Sequence, residues 1–250
     1  MSRVEEFARL IESEFPNDRL TWQKGIATFH PETAREAADL IKLARNFKQP
    51  LYITGFGNNI DPIGQPFTDY VSVRTDRLND LIKVAPEDFY VTVGSGFPLR
   101  EINLDIKTSN LFFPHSDLPY VGSVGGAIAA NVSATLNDHP LPIRKYLLRA
   151  EIVTPEGEIV TPGSACFKSV SGYDIVKLFA PSWGLLGLLV SATFRVMPDT
   201  AAEEFSGMRM QAIDRDKFLS VFDENNTETD AVYARKIKAK FDPDGILPIV

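Results

Sequence analysis

The chain has 250 residues, 44% hydrophobic and 24% charged, enough for one large domain or two small ones with a real core. A formal net charge of -7 argues against nucleic acid and an anionic membrane surface, with room left for a local basic patch. One cysteine, Cys166, forms no internal disulfide and holds no iron–sulfur cluster, and three scattered histidines, His30, His115 and His139, make no metal motif.

In chain order, residues 1–6 lack the apolar core of a signal peptide, and no later apolar run reaches the roughly 20 residues of a membrane span. The expected compartment is cytoplasmic, with any membrane association made through partners. Residues 4–15 predict an amphipathic helix ended by Pro16-Asn17, and residues 25–30 predict a strand. Pro31 opens a helix to about Phe47, with Ala34, Ala37, Ala38, Ile41 and Ala44 on one face. Pro50 stops it. Residues 51–54 are a short strand, so this strand–helix–strand unit implies a parallel pair.

Gly55-Phe56-Gly57-Asn58-Asn59 follows that strand directly. Two glycines one residue apart let the chain fold sharply, so that successive amides converge on one point, as in a phosphate-holding nest. An ordinary turn between strands fits the same residues. Residues 69–74 alternate like a half-buried strand, and residues 78–85 and 89–93 are further strand candidates. Gly94-Ser95-Gly96-Phe97-Pro98-Leu99 begins like a dinucleotide fingerprint. Leu99 stands where the third glycine belongs, so it reads as a tight strand-to-helix turn.

Residues 114–131 are the stretch around which the chain is organised. Pro114 and Pro119 fix an extended entry. Gly122, Gly125 and Gly126 carry no side chain, so a flat or bulky group can approach the backbone there. Residues 127–130 continue as a helix with a thin face. If Ser123 caps that helix, its first amides are free to meet an anion. Tight packing of helix on strand fits equally well.

Residues 132–142 read as a polar loop. Residues 147–153 and 158–161 predict a hairpin turned by Thr154-Pro155-Glu156-Gly157. Lys168 to Ile175 lead into a short helix ended by Pro181. Gly184-Leu185-Leu186-Gly187 then turns the chain into a strand, where Val190, Ala192, Phe194 and Val196 alternate with polar residues. The remainder is richer in charge, with helices expected over residues 214–222 and 231–240.

The order of these pieces resembles the flavin domain of the vanillyl-alcohol oxidase / p-cresol methylhydroxylase family. The pieces are Gly55-Phe56-Gly57-Asn58-Asn59, then Pro114 with Gly122-Ser123-Val124-Gly125-Gly126 and Asn131, then the 150–160 hairpin. Ser171-Gly172-Tyr173-Asp174 and Gly184-Leu185-Leu186-Gly187 complete the set. More narrowly, the chain is similar to the smaller flavin subunit of bacterial glycolate oxidase over about residues 25–198. The tail Phe241-Asp242-Pro243-Asp244-Gly245-Ile246-Leu247 resembles the closing segment of the same enzymes.

The resemblance implies an α+β fold. FAD would lie between two α+β subdomains within residues 1–198, their boundary near residues 105–125. Residues 199–250 would be a short helical extension, the remnant of a cap. Gly55, Phe56, Gly57, Asn58 and Asn59 would hold the pyrophosphate through backbone amides, with Thr54 beside them. His115, Gly122, Ser123, Gly125, Gly126 and Asn131 would line the flavin and ribityl chain, together with Pro114. Ile159 and Gly187 would sit nearer the adenine. Covalent members carry a histidine in the first glycine loop. Asn58 and Asn59 stand there, so the expected flavin is non-covalent.

Oxidising a 2-hydroxy acid on flavin also needs a cation for the carboxylate, a base, and exclusion of water. His115, His139, Arg144, Lys145, Lys168 and Tyr173 are candidates, and none stands out as the catalytic base. Cys166 reads as a small buried residue. The resemblance implies a FAD-dependent oxidoreductase subunit of a glycolate/D-lactate type complex, with a larger flavin subunit and an iron–sulfur subunit as partners. The alternative is a non-catalytic structural subunit with weak or no flavin binding.

Overall fold

The computed structural model describes residues 2–58, 67–165 and 175–249. Helix α1 (Arg3–Glu14) begins with a reciprocal capping box between Ser2 and Glu5. A hairpin follows, β1 (Leu20–Gln23) with β2 (Ile26–Phe29). Helix α2 (Ala34–Phe47) is capped by the Thr33 side chain and ends at left-handed Lys48. Strands β3 (Leu51–Thr54) and β4 (Val71–Arg74) lie parallel, and β2 runs parallel to β4. The first sheet has the order β1-β2-β4-β3, so the expected parallel unit is present. Strand β1 has no counterpart in the sequence reading, because its residues Leu-Thr-Trp-Gln sit half-exposed at a sheet edge.

The second sheet begins with β5 (Leu81–Ala85) and β6 (Tyr90–Gly94). The two sheets therefore part between Arg74 and Leu81, earlier than the boundary expected near residues 105–125. Helix α3 (Ile102–Ile106), strand β7 (Leu111–Phe112) and helix α4 (Val124–Ala129) follow, then strands β8 (Ser133–Leu136) and β9 (His139–Pro142). Strands β10 (Leu147–Val153), β11 (Ile159–Val160) and β12 (Leu188–Arg195) complete an antiparallel sheet of order β11-β10-β12-β6-β5.

Two expectations fail here for physical reasons. Residues 132–142 are a hairpin, not a loop. Asn137 and Asp138 both have positive φ, 48° and 62°, which is the geometry that closes a two-residue β-turn. Two prolines hid β9, and an edge strand tolerates them. Strand β12 is buried on both faces rather than one, because its residues pack into both hydrophobic cores.

Strand β13 (Met197–Pro198) pairs with β7, and β14 (Arg209–Met210) pairs with β8. Helices α5 (Arg215–Leu219) and α6 (Thr229–Phe241) follow, so the C-terminal extension is mostly but not wholly helical. One core gathers Phe7, Phe29, Leu40, Ile41 and Val73, and also takes Val153, Leu188 and Val190 from the second sheet. The other gathers Val93, Ile102, Phe113, Val124, Ile128 and Phe194. The two sheets are thus joined through apolar contact, and the ends of β3 and α4 meet at their seam.

Candidate cofactor site

Strand β3 delivers Thr54 to a turn at residues 55–58, and this turn lies against the start of α4. A Cβ built on Gly55 would stand 2.4 Å from Ser123 Oγ. The Asn58 side-chain amide donates to the Val121 carbonyl at 3.0 Å, tying two segments 63 residues apart. Between them lies a cleft partly open to solvent. Thr54, Gly55, Phe56, Gly57 and Asn58 line it. So do Gly122, Ser123, Gly125, Gly126 and Gly187.

Asn59 lies outside the described residues, as do Cys166, Lys168 and Tyr173. Pro114, His115, Asn131 and Ile159 are described but do not line the cleft. His115 is wholly buried, stacked on Phe113 at 5.5 Å and edge-on to Tyr146 at 5.1 Å. Its Nε2 donates to the Leu141 carbonyl at 2.9 Å. Burial pushes the imidazole down to about 4, against a smaller opposing effect of that carbonyl. His115 is therefore a neutral core side chain, with Pro114 buried beside it. Asn131 takes left-handed backbone at the end of α4, and its Oδ1 accepts from the Arg144 amide. Ile159 is 42% exposed on two-residue β11. His139, Arg144 and Lys145 are exposed on and after β9.

The helix start behaves differently from expectation. Ser123 does cap α4, its Oγ accepting from the Gly126 amide at 3.2 Å. However, the Val124 amide donates to Phe97 O at 2.8 Å and the Gly125 amide to Ser95 O at 2.7 Å. These amides are engaged by the protein and do not await an anion. Gly125 also packs on Ser95, its missing Cβ only 3.1 Å from the Ser95 carbonyl. A Cβ on Gly122 would strike the Tyr120 ring at 2.4–2.6 Å. Gly122 and Gly125 thus serve close packing, while the thin surface they leave faces the cleft.

Among the described residues, the first glycine loop differs from the helix start. Among the described residues, the amides of Gly55, Phe56 and Gly57 make no hydrogen bond, and Gly57 has a φ of 80°. Consecutive unengaged amides beside a wall without side chains fit a dinucleotide diphosphate and a flat ring. By contrast, a Cβ on Gly94 would stand 2.1 Å from the Leu78 carbonyl oxygen, and one on Gly96 would stand 2.0 Å from that of Thr75. That second glycine pair is used wholly in packing.

Tyr52, Thr75, Tyr120, Ala129 and Trp183 also line the cleft and were not expected from the sequence. Burial raises the Tyr52 hydroxyl pKa, with the Arg215 guanidinium opposing it through charge and a hydrogen bond. Tyr52 lies two residues before the strand end, and Tyr120 two residues before Gly122. Position next to a motif was the available signal for both. Thr75 and Trp183 had none, since each reaches the cleft through tertiary packing.

The FAD binding domain family matches residues 26–163, more than half of the chain, and the chain belongs to that family. Its cofactor is FAD. Among curated relatives, D-lactate dehydrogenase of Archaeoglobus fulgidus is 23% identical over 209 residues, 79% of this chain and 47% of that protein. Glycolate oxidase subunit GlcE of Escherichia coli is 28% identical over 155 residues, 60% of this chain and 43% of that one. Glycolate oxidase subunit GlcD of Bacillus subtilis is 23% identical over 173 residues, 69% and 37% respectively. The chain thus spans less than half the length of each of these relatives. A solved alkyldihydroxyacetonephosphate synthase shares the fold, with a TM-score of 0.63 and 18% identity over 78% of this chain and 40% of that one. Among the described residues, no helix is long and apolar enough to cross a membrane.

Proposed function

We propose that this chain is the FAD-binding subunit of an oxidoreductase acting on 2-hydroxy acids of the glycolate or D-lactate type. The observation that carries the reading is the meeting of two glycine-rich segments, 63 positions apart, at one cleft. Bound FAD supplies the two-electron acceptor. The chain's own part is to hold it: residues 55–57 offer amides to the diphosphate, Gly126 leaves room for the ring, and Tyr120 flanks it. Relatives named D-lactate dehydrogenase and glycolate oxidase subunits support the substrate class. Asparagine rather than histidine at position 58 supports a non-covalent flavin.

The polar part of the described lining is tyrosine, threonine, serine and asparagine, which leaves the carboxylate anchor to groups outside it. The relatives named as glycolate oxidase subunits support a role beside partners: a larger flavin subunit and an iron–sulfur subunit. Mixing the FAD-loaded chain anaerobically with glycolate and with D-lactate tests this. No bleaching alone, and turnover restored by partner subunits, is the expected result. Rapid bleaching of the isolated chain overturns the partner requirement. Acid precipitation should leave the flavin in the supernatant.

A second reading, a structural subunit with weak or no flavin binding, draws on the engaged amides of α4. A colourless chain that ignores added FAD would select it.

A further inference from the structure

Among the described residues, Trp183 is the one large side chain on the cleft wall that combines unusual backbone with contacts from the C-terminal segment. Its φ is 48°, a region that bulky residues rarely adopt unless their surroundings hold them there. The amides of Ser182 and Trp183 both donate to the Ala129 carbonyl, at 3.0 and 3.1 Å, which fastens the residue to the end of α4. Ala129 itself lines the cleft. The indole is approached from α5: the Arg215 guanidinium lies 5.8 Å from its centroid and the Phe218 ring 6.2 Å away, tilted by 37°. Two residues on, the Leu185 carbonyl accepts from Lys238 Nζ of α6 at 2.9 Å.

Trp183 also borders a second, smaller pocket. Tyr52, Ile53, Trp183 and Gly184 line both, while Arg215, Leu219 and Leu247 line only the smaller one. Trp183 thus stands as a partition, with the cofactor cleft on one side and the C-terminal segment on the other. The family match ends at residue 163, so neither the partition nor the segment behind it is covered by that match.

We propose that Trp183 contacts the bound cofactor and that Arg215 and Phe218 are its positioning residues, so that the C-terminal segment sets how tightly FAD is retained. This rests on the FAD reading above. An indole is a flat apolar surface suited to a planar ring, and it contributes only while held in one orientation. A guanidinium within cation–π reach of the indole, from a residue that lines the smaller pocket and not the cleft, supplies that restraint without closing the cleft. Freed of it, Trp183 can leave its strained backbone conformation and the wall opens.

The chain has two tryptophans, so Trp22→Phe leaves Trp183 as the sole tryptophan reporter. In that background, FAD titration should quench Trp183 emission in step with flavin occupancy. Arg215→Leu should weaken FAD binding about tenfold and speed its release, with an unchanged far-UV spectrum and an unchanged melting point of the FAD-free chain. Arg215→Lys, which keeps the charge but not the planar guanidinium, should fall between the two. FAD binding that leaves Trp183 emission unchanged overturns the proposal, as does parental affinity in Arg215→Leu. Should Arg215→Leu lower the melting point, Trp183→Phe decides instead: it retains an aromatic ring for Phe218, and unaltered FAD affinity in it overturns the proposal. A parent chain that binds no FAD overturns the FAD reading itself, an outcome visible before any variant is compared.

Discussion

Gly55 and Ser123 approach so closely that the Cβ which Gly55 lacks would stand 2.4 Å from Ser123 Oγ. The same Oγ caps α4 by accepting from the Gly126 amide. One small residue therefore lets the turn after β3 close onto the hydroxyl that caps α4. Gly55→Ala forces Ser123 off its rotamer and removes the cap, at about 1 kcal/mol. It also displaces the loop whose amides face the cleft. The expected result is a slightly lower melting point and FAD affinity weakened by roughly tenfold or more, the loss equivalent to about 1.4 kcal/mol. Titration of the stripped protein with FAD, beside thermal melts, checks both.

Gly125 and Gly126 are neighbours with opposite demands. A Cβ on Gly125 meets Ser95 backbone at 3.1 Å, which cannot give way. A Cβ on Gly126 meets the Tyr120 hydroxyl at 2.9 Å and Ser123 Oγ at 3.4 Å, both side-chain ends. Gly125→Ala should cost stability of about 1–3 kcal/mol, as overpacking does. Gly126→Leu should keep the far-UV circular dichroism and lose FAD, because the branched side chain enters the cleft. Equal effects of the two on folding and on flavin would contradict this division.

His115 ties stability to pH. Its ordinary pKa near 6.5 falls to about 4 in the fold, chiefly through burial. The folded state therefore favours the neutral ring. Its contribution is fully present above pH 6.5 and is lost progressively as pH falls towards 4. In that window the unfolded chain holds one more proton, and stability drops by about 1.4 kcal/mol per pH unit from this group. His115→Gln keeps a donor for the Leu141 carbonyl but does not titrate. Urea midpoints at pH 7.5 and pH 5 should differ less in the variant than in the parent.

The readable parts of the fold were those with local causes. The helix read from Pro31 to about Phe47 has an apolar face and a stop at Pro50, although Thr33 rather than Pro31 caps it, and the glycine loop sits directly at a strand end. The hairpin at residues 133–142 was missed because polarity and two prolines mimic a loop, whereas positive φ at Asn137 and Asp138 closes it. In the site, Gly55, Gly57, Ser123 and Gly126 were legible because backbone access needs particular residues. A histidine after proline reads as polar lining, whereas tertiary packing buries His115 in the core, apart from the described cleft. Trp183 gave no signal, because a tryptophan in left-handed backbone is decided by Ala129, Arg215 and Phe218, far off in sequence.

Asp242 closes the chain onto the strand that feeds the site. It is 5% exposed, and its carboxylate accepts from the amides of Ile246 and Leu247 at 2.9 and 2.8 Å. Lys238 Nζ lies 2.5 Å away and donates onward to the Leu185 and Leu247 carbonyls. Ile246 in turn accepts from the Leu51 amide at 2.8 Å, at the first residue of β3. Burial lowers the Lys238 pKa, and Asp242 opposes that shift. Asp242→Ala leaves a buried ammonium unpaired and two buried amides without an acceptor. The expected loss is about 3–5 kcal/mol. Asp242→Asn, which retains one acceptor, should lose less. Without its partner Lys238 titrates lower still, so a charge that must be buried at neutral pH is shed as pH rises. The deficit of Asp242→Ala relative to the parent should therefore shrink between pH 7 and pH 9.5. Adding Lys238→Met should recover part of it at pH 7, since no unpaired cation remains. Guanidinium unfolding of the four proteins at both pH values measures these differences; a deficit that stays constant with pH and with Lys238→Met would show that the lost amide contacts, not the stranded charge, carry the cost.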